Sequence, residues 1–298
     1  MAFLKRFFTG VTENDVPFFA DIGTDGDNLF TDDLDHQKVK VKLTSTTQDP
    51  FEFKTTGEYN RESGHTGGKV EFKYKDPTYG ATYTESWDLE NSINTRLEFE
   101  KTVRNRPLNI EVGAGLIPVQ DTNFAADGTI KYSHHNAAVA SCGKYKNNEF
   151  LSDHSIVLGK SGLFIGGRVG VNVSTKQVES KELTMGMSGK SHQVTIAMSD
   201  NLDKLKTTIF HEVNPTFSYG VKAQHVFSEN TSALAGAFKY ALNDISTIRG
   251  TLNNCGSLGL SFRHAIRPSV SLVFNSEFDM LNFSAGNHRS GLSIELTP

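Results

Sequence analysis

Long hydrophobic runs are missing from this sequence: in 298 residues no apolar stretch approaches the roughly 18 that a membrane-spanning helix needs. That absence excludes helical spans and nothing more. A barrel strand carries an apolar residue only at every second position, so a mean hydropathy of -0.37 still admits a membrane protein if it is a closed barrel. Cysteine is scarce as well. Cys142 and Cys255 stand far apart in no metal spacing, which argues against a disulfide framework or a zinc site and reads as free thiols in a reducing or intermembrane setting. Only 8 prolines accompany 26 glycines and 21 phenylalanines, a balance that suits many two-faced strands joined by tight turns and bordered by aromatic girdles. A net charge of -4 gives no basic footprint for nucleic acid. The opening MAFLKRFFTG lacks the continuous apolar core of a signal peptide and the Arg and Ser density of a transit peptide, so targeting is expected to be internal. Sequons at Asn172, Asn230 and Asn282 read as chance, since nothing argues for secretion.

Catalytic and cofactor motifs are absent too. Gly159-Lys160-Ser161 and Gly189-Lys190-Ser191 could each end a phosphate-binding loop, but the position where the leading glycine belongs holds His154 in one and Thr184 in the other. No histidine pair has metal-ligand spacing beside a glutamate, and no Ser, His and Asp set sits in a strand-turn-helix elbow. The expectation is a protein with no catalytic residues, no metal and no cofactor.

What is present is a sharp division of charge and period. Residues 1–35 hold two basic and eight acidic side chains, net -6, which leaves residues 36–298 at +2 and marks the first segment as a separate acidic module. Its apolar residues fall on helical stripes, Phe3, Leu4, Phe7 and Phe8 in one piece and Phe18, Phe19 and Ile22 in another, with Leu29 and Phe30 continuing; Gly10, Pro17 and Gly23 punctuate them. From His36 onward the period becomes two, as in Val39, Val41 and Leu43 against Lys38, Lys40 and Lys42. About 19 such segments, spaced by roughly 14 residues, follow one another without a domain boundary. Turns are expected at Asp76-Pro77, Asn105-Arg106-Pro107, Asp127-Gly128, Asn147-Asn148, Asn214-Pro215, Asn254-Cys255-Gly256 and Arg267-Pro268. The last strand, from Arg289 through Gly291, Ile294 and Leu296, has the terminal pattern of membrane barrels inserted from the cytosol. Leu292, Ile294 and Leu296 share its apolar face.

The stretch from Lys73 to Trp87, KYKDPTYGATYTESW, resembles the fourth-strand region of the mitochondrial voltage-dependent anion channel (mitochondrial porin) family, with Lys-Tyr, Tyr-Gly and Thr-Glu-x-Trp in the same order. Phe19-Ala20-Asp21-Ile22-Gly23 with Leu29-Phe30-Thr31, and Asn282 through Gly286, His288, Gly291 and Leu292, extend the resemblance over nearly the whole chain. It implies an all-β, 19-stranded transmembrane β-barrel formed by residues 36–298, with the acidic helical segment of residues 1–35 inside the pore; the strand count supports this rather than standing apart from it. In Ala81 to Asp88, parity puts Tyr83, Glu85 and Trp87 on one face, so Glu85 is a membrane-facing acid between two aromatics, at a position where the family carries a glutamate implicated in calcium sensitivity, dimerisation and partner docking.

The opposite faces of the strands supply Lys38, Lys40, Lys42, Lys69, Lys73, Lys75, Arg96, Lys206, Arg249 and Arg263 as pore-lining residues for phosphorylated metabolites. The chain departs from the family in two linked places. Thr24, Asp27 and Asp32 stand where the family helix is basic, and Asp32-Asp33-Leu34-Asp35-His36 replaces a glycine-rich hinge. The expected function is a mitochondrial outer-membrane diffusion channel for small hydrophilic solutes, nucleotides and organic anions, with voltage gating and anion selectivity both weakened. Its expected partners are membrane lipids, those solutes, and either further copies of the chain in a homo-oligomer or mitochondrial proteins. The rivals are a porin-family barrel kept as a structural subunit or docking platform, a protein-import pore of the same membrane, and a soluble β-rich protein.

Overall fold

The computed structural model describes residues 16–46, 50–103, 106–116, 124–286 and 288–297. After a single turn of 3-10 helix at Phe19–Asp21, one α-helix, α1 (Thr24–Thr31), precedes the strands. These are β1 (Lys38–Thr46), β2 (Phe51–Asn60), β3 (Thr66–Asp76), β4 (Ala81–Asp88), β5 (Ile93–Val103), β6 (Arg106–Leu116) and β7 (Phe124–His134). Then come β8 (Ala137–Lys146), β9 (Glu149–Lys160), β10 (Leu163–Asn172), β11 (Gln177–Ser188), β12 (His192–Ser199) and β13 (Lys204–Asn214). The series ends with β14 (Phe217–Val226), β15 (Thr231–Asn243), β16 (Ser246–Asn253), β17 (Ser257–Arg267), β18 (Val270–Asp279) and β19 (Arg289–Leu296).

Each strand pairs antiparallel with its neighbour in sequence, and β19 returns to β1, so the 19-stranded sheet is closed and leaves no unpaired edge. An up-and-down series with an odd number of strands must start and finish in the same direction. The β1–β19 pair is accordingly parallel, with Val39 opposite Leu292, Val41 opposite Ile294 and Leu43 opposite Leu296. That register carries the apolar faces of both strands to one side of the wall. Val41 is 42% exposed, Ile165 50% and Trp87 52%, a degree of apolar exposure around the outside that only a non-aqueous surrounding makes favourable. The packed core is small and lies on the inner side, where Val16, Ala138, Val157 and Phe164 bury one another beneath Phe18, Phe19 and Ile22.

One expected turn is strand instead, and another gives two of its residues to the strand that follows it. Asp127-Gly128 lies in the middle of β7, because Asp127 points inward to Arg96 (3.9 Å) as part of a wet inner wall, where a polar residue beside glycine imitates a turn. Arg106 and Pro107 open β6, with Pro107 opposite Thr102, a place near a strand start where the missing N–H is tolerated; Asn105 lies outside the described residues. The Asn147-Asn148 turn has φ of 53° and 64°, the mirror-image geometry that matches the twist of a two-residue hairpin.

Candidate functional site

The segment from Val16 to Asp33 lies against the inner wall. Its apolar stripe rests on β8, β9 and β10, and α1 packs on β13, β14 and β15. The Phe3, Leu4, Phe7 and Phe8 stripe lies outside the described residues. Close approach of α1 depends on Gly26: a Cβ there would sit 2.7 Å from the Thr208 methyl, and the Gly26 N–H reaches the Gln193 Oε1 at 3.4 Å. Leu29 is 3% exposed, packed over Gly220 of β14.

Charge fixes the rest of the docking. Lys206 Nζ donates to Asp27 Oδ2 at 2.6 Å, and Lys222 Nζ lies 3.0 Å from Asp27 Oδ1 while also standing 4.7 Å over the ring of Phe30. Burial by itself would raise the Asp27 carboxyl, but the hydrogen bonds and positive charge of Lys206 and Lys222 hold it below the usual carboxylate range. Beyond the helix, Arg249 pairs with Asp32 and Asp33, each at 3.4 Å. Arg263 offers its fork to Asp33, Nε at 3.0 Å, and its remaining amino group donates to Glu295 at 2.7 Å. Asp33 has φ 63° and does what a hinge glycine would do; aspartate tolerates the left-handed region better than most residues, and two guanidinium groups hold this one there.

Alternation from these contacts assigns the inner face of every other strand, and the ten sequence-predicted cations share it. They divide into two sets. Lys206, Arg249 and Arg263 lie under the docked segment, whereas Lys38, Lys40, Lys42, Lys69, Lys73, Lys75 and Arg96 lie on β1, β3 and β5, away from it. Within the second set Lys38 pairs with Glu58 (3.2 Å), Lys42 with Glu295 (4.0 Å), Lys69 with Glu71 (3.0 Å) and Arg96 with Asp127 (3.9 Å). Lys40, Lys73 and Lys75 make no ion pair among the described residues. Seven of the ten predicted cations are therefore matched by a carboxylate.

Sequence reasoning singled out Asp27, Asp32 and Asp33 but missed the wall acids, although Glu58, Glu71 and Asp127 share strand parity with the lysines and arginines they meet, and it missed Lys222. On the outer wall Tyr83, Glu85 and Trp87 share one face, and the Tyr83 hydroxyl donates to Glu85 Oε2 at 2.9 Å, a partner that parity alone did not reveal. In β19, Ile294 and Leu296 face outward, Arg289 pairs with Glu62 (3.3 Å) and Glu277 (3.7 Å), and Gly291 lies under the carbonyl oxygens of Asp35 and Lys38. Among the described residues no group of His, Cys, Asp and Glu is arranged to hold a metal.

A model of the eukaryotic porin family matches residues 15–291. The voltage-dependent anion-selective channel of Drosophila melanogaster is 26% identical over 281 residues, covering 94% of this chain and 98% of its own. The non-selective voltage-gated ion channels VDAC2 of Xenopus laevis and VDAC3 of Homo sapiens are each 25% identical over 288 residues, covering 94% of this chain and 98% of theirs. Among solved structures, a Rhodopseudomonas blastica porin superposes with a TM-score of 0.50 over 72% of this chain and 90% of its own, at 9% identity, a likeness of fold alone.

Proposed function

Because the chain belongs to the eukaryotic porin family, we propose that it is a passive diffusion channel of the mitochondrial outer membrane for small hydrophilic solutes, organic anions and nucleotides among them. The observation that carries the reading is the closed wall with an apolar outside and a charged inside, against whose inner face the described residues Val16 to Asp33 pack. Passage through such a conduit is set by width and summed field, with no catalytic step. The names of the relatives, one anion-selective and two non-selective, support a channel whose selectivity varies on one scaffold.

In this chain Lys206, Lys222, Arg249 and Arg263 are paired with Asp27, Asp32 and Asp33, three charges against four, and four cations of the far wall are paired with wall carboxylates. We assign it weak anion preference at most, with Lys40, Lys73 and Lys75 as the members of the predicted pore-lining set that carry no paired carboxylate among the described residues. Voltage sensitivity that depends on moving α1 is reduced by the same ion pairs, since displacement must separate them. Glu85 is assigned to the hydrocarbon belt, and the β19 pattern to membrane insertion. Planar-bilayer recording tests the proposal: stepwise conductance with a reversal potential near zero in a salt gradient is expected. Absence of conductance from correctly folded barrel overturns it in favour of a structural subunit.

A further inference from the structure

We propose that His192 and His211, paired across β12 and β13 on the outer wall, form a two-imidazole site for a divalent transition-metal ion of the copper, nickel and zinc class. The two residues lie directly opposite each other in the register of this antiparallel pair. Antiparallel strands hold two kinds of opposed residues, and the kind that exchanges no backbone hydrogen bond brings its side chains closer, with Cα atoms about 4.5 Å apart. His192 and His211 are of that kind. The Glu212 N–H donates to the Ser191 carbonyl at 2.7 Å, so the backbone bond falls one residue outside each histidine.

Parity gives both rings the outward face, since the next pair on that side is Val194 with Ile209, and Ile209 is 44% exposed. Depth suits a hydrated ion. His192 opens β12 and His211 lies near the end of β13, so the pair sits at the rim, where water reaches, rather than in the apolar middle of the wall. Tyr219, opposite His211, meets its ring edge-on with centroids 5.5 Å apart, an aromatic of the kind that marks the interface on a membrane barrel. The His192 ring lies over Gly189, where a Cβ would stand 2.7 Å from it, so the missing side chain gives the ring its room. Neutral imidazole suits copper, nickel and zinc, whereas Mg2+ takes oxygen ligands. A pair is fewer than the three or more protein donors of a resident metal centre, a group not found among the described residues, so water completes the shell and the ion exchanges with solution. Because the donors meet only in the closed wall, a bound ion cross-links two neighbouring strands and stabilises the folded state.

The site lies outside the pore and goes beyond conduction, so a barrel that fails to conduct leaves the proposal standing. The full-length barrel, free of any polyhistidine tag, is tested in detergent in a Cys142→Ser, Cys255→Ser background that removes competing thiols. Cu2+ at less than one equivalent is read by electron paramagnetic resonance. Cu2+, Ni2+, Mn2+ and Mg2+ are then titrated calorimetrically against this protein and against its His192→Gln, His211→Gln and His154→Gln variants. His154 is the control, a histidine of β9 on the outward face whose ring nitrogens already meet Ser141 Oγ at 2.9 Å and Ser152 Oγ at 2.7 Å.

The expected spectrum shows copper coupled to two imidazole nitrogens. Affinity should run Cu2+ above Ni2+ above Mn2+, with no binding of Mg2+. Replacing either His192 or His211 should weaken Cu2+ binding about tenfold or more, since losing even a group that only orients a ligand costs about 10- to 100-fold, and replacing His154 should leave it unchanged. Copper held through one nitrogen, unchanged affinity in either paired variant, or an equal loss in His154→Gln overturns the proposal. The resonance measurement needs no histidine variant, and far-UV circular dichroism confirms that each variant scored is folded.

Discussion

At Glu85 the outer wall holds a carboxylate beside Trp87, and the Tyr83 hydroxyl donates to it at 2.9 Å. An ionisable group near the bilayer centre costs on the order of 2.5 to 3.5 kcal/mol on insertion scales, somewhat less for an acid on a barrel. The hydroxyl offsets part of that cost, since a hydrogen bond to a charged group contributes about 1.5 to 3 kcal/mol. Two substitutions should therefore move stability in opposite directions. Glu85→Leu is expected to raise the thermal midpoint in lipid or detergent, and Tyr83→Phe to lower it by removing the donor while keeping the ring. An unchanged midpoint in both would mean that water, rather than Tyr83, satisfies the carboxylate.

Elements are held by specific contacts of the same kind, and two of them can be released separately. In β19 the outward Ile294 and Leu296 sit against β18 on one side and β1 on the other, so Asp at either position places a charge at the closing seam. Gly291 has a different reason to be small. A Cβ there would meet the Asp35 carbonyl oxygen, where the connection from α1 to β1 crosses the inner face. Ile294→Asp with Leu296→Asp should abolish membrane integration, scored by resistance to alkaline carbonate extraction, and Gly291→Leu should do so through loss of the seam.

The α1 docking responds to pH instead. Asp27 has its pKa lowered in the folded protein, so its contribution is fully present above the ordinary carboxylate value of about 3.9 and is lost as pH falls through the lower folded value. Hydrogen exchange of residues 24–31 should rise on acidification through that window. The Asp27→Asn variant, already without the charge, should show a smaller rise.

For the whole molecule the relevant quantity is the field along the lumen. Residues 1–35 carry net -6 against +2 for the remainder, and the carboxylates of Asp27, Asp32 and Asp33 lie against the inner wall. Deleting the segment should shift the reversal potential in the anion-selective direction, most strongly at low salt, where the Debye length grows from about 10 Å at 0.1 M to about 30 Å at 0.01 M. An intact conductance with an unchanged reversal potential would place the segment's charge outside the conduction path.

The sequence by itself determined the barrel. Alternation of Val39, Val41 and Leu43 with Lys38, Lys40 and Lys42, and of Leu292, Ile294 and Leu296 with Gly291, Ser293 and Glu295, settles which side of each strand is wet, because a period of two needs only local order. Closure of 19 strands follows from repeating that pattern under a demand that no backbone edge be left in lipid. Parity could place the ten cations on the inner wall, and it could place Glu85 beside Tyr83 and Trp87.

Pairing was beyond it, since partners such as Asp33 and Arg263 are 230 residues apart and meet only through the closed curvature of the sheet. The inward acids of β2, β3 and β7, the bridge of Lys206 and Lys222 over Asp27, and the left-handed turn at Asp33 all depend on which strands lie beside α1. Asp127-Gly128 shows the same limit in reverse: a local turn signal yielded to a strand register set by its neighbours. Local period fixes faces, whereas net field depends on distances across the lumen, and those exist only once the barrel has closed.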